Sequence, residues 1–276
     1  MWKNFLFFIK LFLQIFSVML LGFGISLGVL MSVQESMRLP SAQELAALDN
    51  VTDHLSSTEQ HTVKKSRNSV LRILSGHATR DGIATMSGTY LSHDDRYYVL
   101  TAAHGIMGDC AHFFVATGDD ELYDCVQYIA VDQQKDYAVI EIEKVPGRIP
   151  LRLAQVIPSN SEWKDQLAIL NKTFYTGYPN SIGPLTFDGS VAGLSESQYL
   201  YIHSYAWPGS SGAGVFARDG DLIGIVLALN VGVTGAGYDV LEDVVIVLPL
   251  FKIDWELIYD EMSEPPPAQD TGDTAQ

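Results

Sequence analysis

Three short segments of this 276-residue chain carry side chains that together can perform nucleophilic acyl transfer. That chemistry needs a nucleophile, a base of near-neutral pKa to take its proton, an acid group to orient the base, and amide donors for the oxyanion. In Tyr97-Tyr98-Val99-Leu100-Thr101-Ala102-Ala103-His104-Gly105, a hydrophobic strand runs into small residues and then places an imidazole at the start of a turn. Asp136 stands directly before the apolar run Tyr137-Ala138-Val139-Ile140. A carboxylate at such a strand entrance can accept from the imidazole Nδ1–H and fix its tautomer; Asp132 is a rival for that role. In Pro208-Gly209-Ser210-Ser211-Gly212-Ala213-Gly214-Val215, glycines flanking a serine allow backbone angles that aim the amides of Gly209 and Ser211 at one point. Ser211 has the Gly-x-Ser-Gly context and Ser210 does not. The expected roles are Ser211 as nucleophile, His104 as base, Asp136 as orienting acid, and the Gly209 and Ser211 amides as oxyanion hole. With an unperturbed imidazole, activity is expected to decline as pH falls through about 6.5.

The elements that must position these groups are short β-like runs from Asn68 onward: Val70 to Leu74, Ile83 to Leu91, Tyr97 to Thr101, His112 to Ala116, Leu122 to Val131 and Tyr137 to Ile142. Many short strands between turn residues mean an all-β barrel or sandwich. The crossing Pro146-Gly147-Arg148-Ile149-Pro150 divides the region into halves of comparable size, at about 68–145 and 151–250. Leu222 to Leu229 is too short to span a membrane and is expected to be a buried strand. Phe251, Trp255, Ile258 and Tyr259 suit a closing helix over 251–262, and the tail from 263 has too little apolar surface to fold.

A formal charge of −16 excludes the basic surface that binds a nucleic-acid backbone, so no nucleic-acid partner is expected. The charge is unevenly placed: the first 33 residues contribute +2, from Lys3 and Lys10, which leaves −18 on the rest. Leu11 to Val33 runs 23 residues without a charge, enough to cross a hydrocarbon core as a helix. Residues 1–33 are therefore expected to be a transmembrane signal-anchor, with a cleaved signal as the alternative. Both lysines precede the apolar run, so the amino terminus is expected in the cytoplasm and the body outside it. Residues 34–67 are polar, with a Ser-x-x-Glu helix start at Ser41 and Glu44, and are expected to form a stalk. Gly24 and Gly28 in the membrane helix, or the stalk itself, offer a route to self-association.

At the three chemical segments the sequence resembles the chymotrypsin-like serine proteases, with histidine in Thr-Ala-Ala-His and serine in Gly-x-Ser-Gly. It is most similar to the HtrA-type branch. Pro208-Gly209-Ser210-Ser211-Gly212 resembles that branch's Pro-Gly-Asn-Ser-Gly, and Asp219-Gly220-Asp221-Leu222-Ile223-Gly224-Ile225 its Asn-Gly-Glu-Leu-Ile-Gly-Ile. Gly177-Tyr178-Pro179 stands where the family has Gly-Asn-Pro, and Ser87-Gly88-Thr89 matches its first-barrel Ser-Gly. The resemblance covers about residues 68–250 and implies a double β-barrel protease domain over 68–262, with the active site between barrels. Ser210 replaces the Asn of HtrA types and the Asp of trypsin types, which removes the partner of a freshly cut amino terminus. The 65 residues after Ser211 are expected to finish the second barrel, and no PDZ domain is expected after it.

Protein or peptide substrates are expected to add as a strand near Ile225, Val226 and Leu227 and to place a side chain against Tyr205 and Ala206. No acid lies there, so a small or medium apolar side chain is favoured over Lys or Arg, and His203 leaves room for an acidic one. If the body is exported, Cys110 and Cys125 can form a disulfide bracing the first barrel. A metal site from His104, Cys110 and His112 would instead consume the base, so no metal or cofactor is expected. Asn50 and Asn171 fit the glycosylation pattern. The competing function is a catalytically inactive protease-fold module that binds peptides or protein partners at the membrane. An α/β-hydrolase esterase is excluded by the order His, Asp, Ser and the absence of βαβ alternation.

Overall fold

The structure, a computed structural model, describes residues 16–17, 52, 54–117, 121–157, 163–234 and 237–263, without the side chains of 80–81, 163–164 and 228–242. The signal-anchor apart from Phe16 and Ser17, the Ser41 helix start and the tail beyond 263 lie outside the described residues. Among the described residues no helix is long and apolar enough to cross a membrane.

The described residues from 54 to 263 form one unit. Its first sheet contains β1 (Val70–His77), β2 (Arg80–His93), β3 (Arg96–Thr101), β4 (Phe113–Ala116), β5 (Leu122–Asp132) and β6 (Tyr137–Ile142). They follow the order β1-β4-β5-β6-β3-β2, and β2 pairs back to β1 to close an antiparallel barrel. β7 (Leu151–Arg152) runs parallel to β2 through Leu91 and Ser92. The half expected to begin the second barrel at residue 151 thus opens with a strand of the first, because the crossing returns along β2 before leaving it. After a short helix α2 (Trp163–Gln166), the second barrel comprises β8 (Lys172–Gly177), β9 (Leu185–Leu194), β10 (Leu200–His203), β11 (Gly214–Ala217), β12 (Leu222–Thr234) and β13 (Gly237–Pro249). It closes in the order β10-β13-β12-β11-β8-β9. The helix α3 (Trp255–Ser263) follows as expected.

The apolar runs are continuous rather than alternating where a strand is buried on both faces. All six residues of β6 are buried. Ala138, Ile140 and Ile142 join the core inside the first barrel with Leu71, Ile73, Val99 and Phe113. Tyr137 and Val139 face the other way with Tyr98 and Leu100 of β3, into a core that also contains Phe216, Ile225 and Leu248 of the second barrel and Trp255, Ile258 and Met262 of α3. Each such large side chain contributes about 1.5–3 kcal/mol when fully buried.

A helix α1 (Ser57–Ser69) precedes the barrels, where the polar sequence suggested a stalk through residue 67. Ser56 caps it in a reciprocal box with Glu59. Its docking is largely polar. Thr62 Oγ1 donates to Arg218 O at 2.9 Å, Ser66 Oγ to Thr176 Oγ1 at 2.8 Å, and Lys65 Nζ to Gly220 O at 2.7 Å. Hydropathy misses this helix because its buried face is made of hydroxyls. Arg148 of the crossing then donates to Arg67 O at 3.0 Å and to the Tyr178 hydroxyl at 2.8 Å. The amide of Asn171 is also engaged, donating to Asp165 O and Gln166 O, and Thr173 is buried, so this glycosylation motif is part of the fold.

Replacing Thr62 by Val should lower stability by about 1–3 kcal/mol, because Arg218 O loses a buried donor. A shift of the urea midpoint checks this; a solvated stalk would leave the midpoint unchanged.

Candidate active site

Because β3 and β6 are antiparallel neighbours with Thr101 opposite Ala138, the end of one and the start of the other lie at the same rim. His104 sits in a 3-10 turn, Ala103–Gly105, anchored by the fully buried Ala102 and Ala103. Asp136 ends the turn before β6 with φ of 64°, a left-handed conformation that Asp tolerates better than most residues. Its Oδ1 accepts from the His104 backbone N–H and its Oδ2 faces His104 Nδ1, both at 2.8 Å. The carboxylate therefore holds the histidine at two points. Asp132, the rival, spends its Oδ1 on the amides of Gln134 and Lys135, which shapes the turn that delivers Asp136.

With Nδ1–H donated to Asp136, the Nε2 lone pair faces Ser211 Oγ at 3.1 Å. The same hydroxyl lies within reach of Leu227 O at 2.9 Å. Its single proton thus has two acceptors at the cleft. The contact with Asp136 raises the His104 pKa above its ordinary 6.5, against a smaller downward push from burial. The acid limb expected at about 6.5 accordingly moves upward.

The nucleophile loop is held by its carbonyls. Pro208 O accepts from Asn180 N at 2.7 Å, and Ser210 O accepts from Ala213 N at 3.0 Å. Ser87 grips the loop twice: its Oγ donates to Gly209 O at 2.7 Å and its N–H donates to Ser211 O at 2.9 Å. In a trans peptide the N–H points opposite to the preceding C=O. Fixing the carbonyls of Pro208 and Ser210 therefore turns the amides of Gly209 and Ser211 away from those partners, and among the described residues no carbonyl accepts from either. Gly209 has φ of +98° and Gly212 φ of +87°. At Gly212 an added Cβ would also lie 2.1 Å from Ser87 O, so this close approach of barrel to loop needs glycine.

His104, Asp136, Ser211, Gly209 and Leu227 thus come together. Ile225 and Val226 do not, and their assignment to substrate is corrected. Their side chains are buried, Ile225 pairs with Gly214 on one side and Leu248 on the other, and Val226 bonds to Gly212 and Ala213. Neither offers a free strand edge. Ala206 packs into the core of the second barrel, while Tyr205 is exposed and stacks on Trp207 at 6.2 Å. His203 is exposed and lies 3.5 Å from Asp243. Cys110 and Cys125 are disulfide-bonded, tying the turn after His104 to β5, so Cys110 has no thiolate left for a metal set with His104 and His112. A cross-link closing a loop of this length contributes about 3 kcal/mol. Asn180 and Tyr175 were not legible as site residues; Ser87 was visible only as half of a Ser-Gly pair.

Residues 86–225, more than half of the chain, match the family model of the trypsin-like peptidase domain. The chain belongs to this family. The matched span contains His104, Asp136 and Ser211. The crystal structure of a serine endoprotease from Yersinia pestis has a similar fold, with a TM-score of 0.57 and 20% identity, covering 75% of this chain and 68% of that one. No curated protein matches the chain. Membership of the trypsin-like family agrees with the chymotrypsin-like double barrel expected from the motifs.

The His104 imidazole should titrate above 6.5 in the wild type and at a lower pH in Asp136→Asn. A proton NMR titration of the ring resonances checks this; equal midpoints would remove Asp136 as the cause.

Proposed function

We propose that the chain is a membrane-anchored serine endopeptidase that acts through an acyl-enzyme. The observation that carries this reading is the continuous contact Asp136–His104–Ser211 beside two amides that donate to no carbonyl among the described residues. Ser211 Oγ attacks the peptide carbonyl as His104 Nε2 takes its proton, and the Asp136 carboxylate stabilises the imidazolium that results. The carbonyl oxygen, now negative, accepts from the amides of Gly209 and Ser211. His104 returns the proton to the leaving amine, and the acyl-enzyme is hydrolysed by water with the same base.

Substrate lies extended along the backbone from Leu227 onward, past the point where β11 stops covering β12. A substrate N–H that bonds to Leu227 O competes with the Ser211 hydroxyl there, which directs the hydroxyl proton to His104. The uncharged run from Leu11 to Val33 supports an amino-terminal anchor with the peptidase outside the cytoplasm, and an oxidising compartment suits the Cys110–Cys125 bond. Motifs around Ser211 favour the HtrA-type branch, and the absence of an acid from 203 to 210 favours an apolar side chain at the cleavage site.

A fluorophosphonate probe should label the wild type and not Ser211→Ala, and the variant should lose turnover on the order of a million-fold. An unlabelled wild type, or equal labelling of both, would leave the inactive peptide-binding module as the function. The labelling rate should fall with acidification through a midpoint above 6.5, since protonated His104 accepts no proton.

A further inference from the structure

Tyr175 on β8 is almost fully buried, yet it carries a hydroxyl. That hydroxyl donates to the carbonyl of Tyr205, at the start of the segment leading to Ser211. Ser210 is buried, its Oγ accepting from Trp207 N at 3.3 Å and its N–H donating to Trp207 O at 2.9 Å. The ring of Tyr175 stacks on Phe187 at 5.1 Å, Phe187 lies 5.8 Å from Trp207, and Trp207 stacks on Tyr205. The phenol therefore holds the start of the segment 205–210, and Ser210 at its end is tied through Trp207 to the same aromatic cluster.

Ser87 and Asn180 restrain the outer carbonyls of the loop, at Gly209, Ser211 and Pro208. Neither is bonded to Tyr205, where the segment begins; the buried group brought there is a neutral phenol. Burial pushes that phenol well above its ordinary range, so it stays a donor throughout the working pH.

We propose that Tyr175 is a positioning residue for the oxyanion site: its hydroxyl fixes Tyr205, whose stacking partner Trp207 holds Ser210, which keeps the Gly209 and Ser211 amides aimed at the cleft. The inference rests on the serine-peptidase reading and touches neither His104 nor the substrate edge at Leu227. It separates orientation of the oxyanion donors from operation of the base.

The test measures labelling of the full chain by a fluorophosphonate over a range of probe concentrations and pH, separating the maximal rate from half-saturation. Tyr175→Phe, which keeps the ring and removes the hydroxyl, should lower the maximal rate about tenfold to a hundredfold. Half-saturation should stay within about twofold and the pH midpoint should not move, since ground-state binding and His104 are untouched. Ser210→Ala should show the same pattern, and the double variant should be no slower than the slower single variant, as expected of two groups acting through one segment. A maximal rate of Tyr175→Phe equal to wild type, or losses that add fully in the double variant, overturns the proposal. If Tyr175→Phe loses its native near-ultraviolet circular dichroism, Ser210→Ala decides: a wild-type rate overturns the proposal and a reduced one supports it. Failure of the wild type to label is a different result, which overturns the peptidase reading itself.

Discussion

Burial on both faces of β3, β6 and β11 is the constraint on which the rest of the structure depends. A strand with one wet face can shift by two residues at moderate cost; a strand packed inside a barrel and against a neighbouring barrel has its register fixed twice. His104 follows β3, Asp136 precedes β6 and Ser211 precedes β11, so each stands a few residues from a doubly fixed strand. The distances among them are then set by the packing of Tyr98, Leu100, Tyr137, Val139 and Phe216 in the core between barrels. The reacting side chains bond to one another and, at Ser211 and Asp136, to the backbone of Leu227 and His104.

A second layer of control acts through polar atoms. The loop before Ser211 is held from several directions, by Ser87 of the first barrel, Asn180 of the loop after β8, and Tyr175 of β8. Tyr178 connects that neighbourhood to α1, since its N–H donates to Ser87 Oγ at 2.8 Å while its hydroxyl accepts from Arg148. The carbonyls of Pro208, Gly209, Ser210 and Ser211 all accept bonds, while the amides of Gly209 and Ser211 donate to no carbonyl among the described residues. Partial positive charge is thus left facing the cleft.

His104, Asp136 and Ser211 were legible in the sequence because each sits at a boundary between an apolar run and small or turn-forming residues. The strands of the first barrel were legible for the same reason, since double burial makes them uniformly apolar. What was not legible depends on pairing. Ile225 and Val226 have the composition of a substrate-binding strand, and only the register with β11 and β13 shows that both edges are taken there. Asn180 acts through its backbone N–H, which any residue but proline would supply, so side-chain identity held no signal. α1 was hidden by its polarity, and Tyr175 looked like any other core aromatic until its hydroxyl had a partner.

The polar docking of α1 has a thermodynamic consequence. A helix seated mainly by Thr62, Lys65 and Ser66, with Val63 as its one buried large apolar residue, exposes little hydrocarbon when it leaves the barrel. The heat capacity gained on its release is correspondingly small, since apolar and polar exposure contribute with opposite sign. Its attachment therefore weakens with temperature almost linearly, without the curvature that governs the two barrels. The helix that reaches the nucleophile loop through Arg148 and Tyr178 can respond to warming or cooling on a schedule different from that of the cores it rests on.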